Sequence, residues 1–207
     1  MLVEKIQVFG WDSAIRGMRN PLNSWNRIDS KFLNSQFVIG ENDLKLMKQL
    51  AAAGDDHAKF LRMINVTMDV TAPLYWWKEA DTYKVGTVAN SCSTMHKIQA
   101  KEFTVDDFSC GYLHNFEEDD YYCELLRIIK LLNKARDKFN ETKDKKYWWL
   151  MIQLLPSSYN QKRTLQLNYQ VLKHMYDSRK NHKLDEWSDF CKIIEQLPYF
   201  KEIFNKE

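Results

Sequence analysis

Residues 62–97 read RMINVTMDVTAPLYWWKEADTYKVGTVANSCSTMHK. Ile64, Val66, Met68 and Val70 alternate with Asn65, Thr67 and Asp69, the two-residue period of a half-buried strand. Pro73 ends that strand and can open a helix, because its missing N–H costs nothing at a first helical position. A short aromatic helix is predicted over Leu74–Tyr83. It gives way to a polar segment, Val85–His96, with one glycine, several hydroxyls and Asn90. A long polar loop directly after a buried strand–helix unit is a candidate ligand site, since irregular backbone offers N–H groups and hydroxyls to a ligand. The bland alternative is an ordinary surface loop, because loops are common and sites are few.

Upstream, Leu2–Phe9 is expected to form a strand closed by Gly10. A short helix, Ala14–Arg19, follows, capped by Asp12 or Ser13 and stopped by Pro21. Asn20–Gly40 is polar and irregular. Asn42 stands where it can cap an amphipathic helix, Asp43–Ala53, whose Leu44, Met47 and Leu50 share one face, with Gly54 at its end.

Downstream, Phe103–Gly111 reads as a connection carrying Asp106 and Asp107. Glu117–Asp120 reads as a solvated, acidic helix start. It leads into a long helix, Tyr121–Thr142, with Leu125, Ile128, Ile129, Leu132 and Ala135 on one face. A second helix, Lys145–Leu155, ends at Pro156. Ser157–Leu167 is polar, with a strand entry at Thr164, Leu165 and Leu167. Asn168 begins a helix on which Asn168, Leu172, Tyr176 and Arg179 share a face. Arg179 is then either a cation placed at a C-terminal turn, where the helix dipole favours it, or a group directed at a ligand. A last helix, Leu184–Leu197, packs through Trp187, Phe190, Ile193 and Ile194 and is closed by Pro198. Helices dominate and no regular βαβ alternation exists, so the fold class is α+β. The length suits one domain over 1–207, with a helical elaboration at about 117–155.

The 207 residues are 44% hydrophobic and 28% charged, as in an ordinary globular chain, and the net charge of +2 gives no reason to expect a nucleic-acid or membrane partner. Aromatics reach 14%. Tyr75-Trp76-Trp77 and Tyr147-Trp148-Trp149 therefore predict large contacts in the core or between subunits. Cys92, Cys110, Cys123 and Cys191 form no CxxC pair and have no His at zinc-finger spacing. They read as free structural thiols in a reducing compartment, and no metal site is expected. The start of the chain lacks a signal-peptide core and no run of 18 apolar residues occurs, which predicts a cytoplasmic protein. GxGxxG, Walker, HExxH and GxSxG patterns are absent. What remains is two polar segments beside helices, Val85–His96 and Ser157–Arg179. Neutral donors, a few cations and nearby aromatics suit an anionic, heterocyclic ligand.

Those two segments resemble the flavin-dependent thymidylate synthases, the ThyX family. Its members carry RHRxxSxNExSxRY after a strand and short helix, and LP…N…R leading into a helix near the C-terminus. Here the first motif ends Asn90-Ser91-Cys92-Ser93-Thr94-Met95-His96, with Asn90 and Ser93 where the family has its Asn and last Ser. Tyr83 and Lys84 fall where the family has His-Arg, if one extra residue is allowed between Thr87 and Asn90. Leu155-Pro156 matches LP, Asn168 lies twelve residues past that proline, and Arg179 lies eleven further. The order of the helix Asp43–Ala53, Gly54 and the following strand also matches. The resemblance runs from about Asp12 to Ile194.

It implies a ThyX-like fold: a small, mostly antiparallel sheet with long helices. It further implies a homotetramer with active sites formed between subunits, FAD as hydride carrier, and transfer of a methylene group from a reduced folate to dUMP. Arg179 takes the catalytic role of holding and polarising the dUMP pyrimidine. Asn168, Tyr83 and Lys84 become cofactor-binding positions, and Ser93, Asn90 and Arg179 substrate-binding ones. The departures are equally specific. Thr82, Ser91, Met95, His96, Ile152 and Gln170 replace motif residues, four of them arginines, and several of those arginines contact phosphates in the family. Lys84, Lys78, Arg163 and Arg62 are candidates to compensate. The alternative is a catalytically altered or inactive nucleotide- or flavin-binding protein of the same fold.

Overall fold

The chain is described by a computed structural model over residues 1–34, 36–114 and 120–204. In chain order its elements are β1 (Leu2–Phe9), α1 (Trp11–Arg19), β2 (Lys31–Leu33), β3 (Gln36–Val38), α2 (Glu41–Ala52), β4 (Asn65–Pro73), α3 (Leu74–Ala80) and β5 (Val88–Ser91). Then come α4 (Tyr121–Thr142), α5 (Lys145–Leu154), β6 (Asn160–Asn168), α6 (Tyr169–Arg179), α7 (Asp185–Glu195) and α8 (Phe200–Phe204). The fold is α+β, with the small antiparallel sheet that the sequence reading expected. Its strands lie in the order β1-β4-β6-β5, while β2 and β3 form a separate antiparallel hairpin with Lys31 opposite Val38 and Leu33 opposite Gln36.

The alternation in β4 is realised as predicted. Ile64, Val66, Met68, Val70 and Ala72 are 0–1% exposed, while Asn65, Thr67 and Asp69 are half-buried. Pro73 takes the N-cap position of α3, which ends at Ala80, three residues short of the predicted end at Tyr83.

By contact density the chain divides into two compact units. One comprises Met1–Leu2, Val70–Thr82 and Asn90–Arg163; the other comprises Val3–Asp69, Tyr83–Ala89 and Thr164–Glu207. The first is centred on a core of Ile98, Phe103, Phe108, Leu125, Ile129, Leu132, Ala135 and Met151. Its connecting segment is pinned by one side chain: Asn133 accepts from the Phe103 amide and donates to the Phe103 carbonyl, each at 2.8 Å. Asp107 is structural there, accepting from the Thr104 amide at 2.8 Å and from Lys101 at 2.7 Å. Trp76 and Trp77 are core residues at 1% and 2% exposure, whereas Trp149 is 45% exposed. Asp120 caps α4 by accepting from the Cys123 amide. The rest of the predicted acidic helix start, Glu117–Asp119, lies outside the described residues.

The second unit packs Trp11 edge-on to Tyr169 and Tyr199, and buries Trp187 and Phe190. It also buries a charged pair. Arg19 donates to Asp43 through Nη2 at 2.7 Å and Nε at 3.0 Å, and Asp43 further accepts from Ser30 Oγ and the amides of Asp29 and Ser30.

Several local expectations are corrected. Helix α1 begins at Trp11, so neither Asp12 nor Ser13 caps it. Gly10 makes the turn at φ +94°, and a Cβ there would lie 2.1 Å from the Met63 carbonyl oxygen. Asn42 does not cap α2; its amide and that of Asp43 are taken by the Asp29 carboxylate at 2.8 and 3.1 Å. Asn20–Gly40 contains short 3₁₀ turns and the β2–β3 hairpin, whose Phe32 and Phe37 rings meet edge to face. Val85–His96 is not loop throughout, because Val88–Ser91 is the exposed strand β5. Helix α8 lies beyond the predicted closure at Pro198.

Removing one partner of a buried ion pair costs about 3 kcal/mol or more, so Asp43→Asn is expected to lower unfolding free energy by that order in urea titration. Burial pushes the Asp43 carboxyl up, but hydrogen bonds from Ser30, Arg19 and the two backbone amides outweigh it and hold it below 3.8. A group whose pKa falls on folding stabilises fully above its unfolded value and loses that contribution as pH falls through the folded one. Acid titration of stability should therefore be shallower below about pH 4 in the D43N variant than in the wild type.

Candidate functional site

Helix α6 starts as the sequence suggested. The Asn168 side-chain oxygen accepts from the Val171 amide at 3.0 Å, which satisfies one of the orphan donors of the first turn. That bond commits Oδ1 and leaves Nδ2 as a donor. Against this end of α6 sits the turn 83–87. Gly86 has φ +78°, and a Cβ built there would lie 3.0 Å from Asn168 Nδ2 and 3.1 Å from a Val171 methyl. The Thr87 amide closes the turn on the Lys84 carbonyl at 3.4 Å.

At the other end of α6, Arg179 Nε donates to the Tyr83 hydroxyl at 3.0 Å. The guanidinium carbon lies 5.0 Å from the Trp187 ring centroid and 5.7 Å from that of Tyr83. A planar cation over the Trp187 and Tyr83 rings, with Nε on the Tyr83 hydroxyl, is oriented before any ligand arrives. The expected stripe Asn168, Leu172, Tyr176, Arg179 is thus mixed. Leu172 is fully buried, and Tyr176 donates to Glu195 at 2.6 Å, a bond that pushes the phenol up to about 12. The two ends of the stripe meet the 83–87 turn, Asn168 at Gly86 and Arg179 at Tyr83.

Asn90 and Ser93 belong to the other unit. Asn90 is exposed on β5. Ser93 closes a turn of its own, its hydroxyl oxygen accepting from the amides of Met95 at 3.2 Å and His96 at 3.0 Å. Two neighbours hold this segment: Trp148 Nε1 donates to the Met95 carbonyl at 3.0 Å, and Gln161 Nε2 donates to the Cys92 carbonyl at 2.8 Å.

The positions where the resemblance lacks arginine are neutral; Met95 is exposed, and the other three are used internally. Thr82 donates to the Glu79 carbonyl, and Ile152 packs against the core of its unit. Gln170 is 5% exposed, with its Nε2 2.8 Å from Asp55 Oδ1 and 3.0 Å from His174 Nε2. Of the suggested compensating cations, Arg163 is engaged: it pairs with Asp81 at 2.7 Å and stacks 4.2 Å from the Trp77 ring centroid. Lys84, Lys78 and Arg62 are exposed. Sequence reasoning assigned Trp187 to the core and missed its second use as the platform under Arg179. A tryptophan just across a tight turn from a helix-terminal arginine was the available signal.

Among the described residues, no group of three or more His, Cys, Asp or Glu is placed to hold a metal ion, and no helix is long and apolar enough to cross a membrane. The four cysteines are free thiols.

Gly86→Ala would place a side chain in left-handed backbone and against Asn168. It is expected to cost about 1–2 kcal/mol from the backbone alone, read as a lower urea midpoint. Asn168→Ala should cost roughly 1 kcal/mol through loss of the cap.

No protein-family model and no curated protein matches the chain. Solved structures do. A crystal structure of the flavin-dependent thymidylate synthase ThyX from Helicobacter pylori, complexed with FAD and dUMP, matches with a TM-score of 0.72 and 16% identity, over 99% of this chain and 98% of that one. A second structure of Helicobacter pylori ThyX with FAD and dUMP matches over the same shares of both chains, with a TM-score of 0.71 and 16% identity. Along essentially its whole length, the chain therefore has the fold of the flavin-dependent thymidylate synthases.

Proposed function

We propose that this protein is a divergent flavoprotein of the thymidylate synthase type, binding FAD and a pyrimidine nucleotide such as dUMP. In this reading it moves a methylene group from a reduced folate to the nucleotide, as a homotetramer in the cytoplasm built from a single ThyX-like domain. The observation that carries the reading is the Arg179–Tyr83 contact at 3.0 Å, with the guanidinium stacked on Trp187. A pre-oriented guanidinium is what a uracil ring requires as negative charge develops on its carbonyl and adjacent nitrogen.

The residues fit the two ligands unevenly. Groups suited to a heterocycle edge are present in each unit taken by itself: Arg179, the Asn168 Nδ2 donor and the Tyr83 phenol in one, Ser93 and Asn90 in the other. Lys84 supplies positive charge from the 83–87 turn. FAD, when bound, supplies the hydride. Residue by residue, Arg179 would orient the pyrimidine and stabilise charge on it, Asn168, Tyr83 and Lys84 would hold the cofactor, and Ser93 and Asn90 would donate to the nucleotide.

The phosphate side fits less well, and one observation favours a second reading. Thr82, Ile152 and Gln170 are neutral, and Arg163 is already paired with Asp81. Each missing charge-assisted contact weakens phosphate binding by ~1.5–3 kcal/mol. A protein of this fold that binds nucleotide or flavin without the methylene transfer is consistent with those losses.

Absorbance after adding FAD and removing the excess is the first test, because the synthase reading requires a retained flavin band and only the enzyme couples that flavin to chemistry. Oxidation of the reduced flavin that depends on dUMP supports the synthase reading; retention without it supports the second, and no retention sinks the synthase reading and leaves the second only if the protein binds dUMP alone. In the Arg179→Ala variant, turnover should be abolished with FAD retention nearly unchanged. Equal turnover would remove Arg179 from its role.

A further inference from the structure

We propose that Gln161 positions the Asn90–His96 segment, fixing the Cys92 carbonyl so that the Ser93 turn holds one conformation. For the nucleotide, this rests on the functional reading above; for the segment itself, it does not.

Gln161 is 8% exposed, and both ends of its carboxamide are committed. Its Oε1 accepts from Arg163 Nε at 3.0 Å, and its Nε2 donates to the Cys92 carbonyl at 2.8 Å. An arginine Nε only donates and a carbonyl only accepts, so the amide has one orientation; the flipped form would set oxygen against oxygen and N–H against N–H. The main chain at the same residue is held as well, since Trp77 Nε1 donates to the Gln161 carbonyl at 2.9 Å. Next along the strand, the Lys162 carbonyl accepts from the Cys92 amide at 2.9 Å.

Arg163 is itself immobilised. It stacks on Trp77 and donates to Asp81 at 2.7 Å through Nη1. A directional chain therefore runs from the Asp81 carboxylate through Arg163 and Gln161 to the carbonyl immediately before Ser93. On the far side of Ser93, Trp148 holds the Met95 carbonyl. The segment is gripped at residues 92 and 95, by donors on β6 and α5, with the Ser93 hydroxyl between them.

Only a residue that accepts toward Arg163 and donates toward Cys92 at once completes this chain. Glutamate does the first alone and sets a charge against the carbonyl; methionine does neither. A core residue in this position would require no carboxamide.

The test is amide hydrogen exchange on the ligand-free, full-length protein, with Gln161→Glu and, should that variant fold poorly, Gln161→Met. Exchange at Cys92–His96 should rise about tenfold, while amides in α4 keep wild-type protection and the Cys92 thiol alkylates faster. Asp81→Asn, which leaves both Gln161 bonds in place, should raise exchange less. Unchanged protection at 92–96 in the glutamate and methionine variants overturns the proposal. Titration of wild type and Q161E with dUMP then separates the two layers. Affinity about tenfold weaker in the variant, with FAD retention unchanged, supports the positioning role for the nucleotide; equal affinity overturns it. If the wild type binds no dUMP while the exchange result holds, the functional reading fails and the positioning of the segment stands.

Discussion

Burial of one face of β4 is the constraint on which the rest depends. Ile64, Val66, Met68, Val70 and Ala72 leave essentially no surface to water. The four larger ones, Ile64, Val66, Met68 and Val70, contribute about 1.5–3 kcal/mol each when fully buried. A slip of one residue would exchange them for Asn65, Thr67 and Asp69, so the register of β4 is fixed. With the register fixed, Pro73 is fixed, and α3 can begin in only one place. Its first orphan amides are then met by the chain before β6: Leu74 donates to the Tyr159 carbonyl and Tyr75 to the Ser157 carbonyl, both at 3.0 Å. Helix, strand and following turn descend from the same alternation.

That alternation was legible because burial imposes a period on residue type. The same holds for α4, where Leu125, Ile129, Leu132 and Ala135 of the expected face are buried and Ile128 is half-buried beside them. What escaped notice was structure held by backbone and polar contacts. The hairpin β2–β3 has three-residue strands with Phe32 and Phe37 as its main apolar contact, too short to show a period. Strand β5 is exposed along its length, so no residue in it is selected for burial. The caps were misassigned for a related reason. Asn42 and Asp12 are capable residues in plausible places, but Asp29 reaches α2 from thirteen positions away, and a glycine makes the start of α1.

The candidate site divides along the same line. Arg179 and Asn168 stood out because polar groups at helix spacing are conspicuous on an otherwise apolar stripe. Their relation to the 83–87 turn was visible only as a motif resemblance, and the structure expresses it as the Arg179–Tyr83 bond and the close approach of Gly86 to Asn168. The chain from Asp81 through Arg163 and Gln161 to Cys92 could not be read from spacing, because its two ends lie 82 and 69 residues from their partners on β6. Arg163 makes the point most plainly. By charge it is a candidate for a phosphate; by its partners it is part of the scaffold.

Asp29 carries a consequence for how this protein breathes. Its carboxylate takes the first amides of α2, while the Asp43 carboxylate, inside that same helix, takes the amides of Asp29 and Ser30 in return. Ser30 Oγ accepts from the Gly40 amide, and a Cβ on Gly40 would collide with the Asp29 carboxylate at 2.2 Å. The clasp is reciprocal, so α2 cannot fray from its N-terminus in the usual residue-by-residue way. Loosening its first turn releases both stems of the hairpin, and releasing the hairpin uncaps the helix. Opening of the first turn of α2 and release of Asp29 and Ser30 are thus coupled, because each gives up hydrogen bonds that the other supplies.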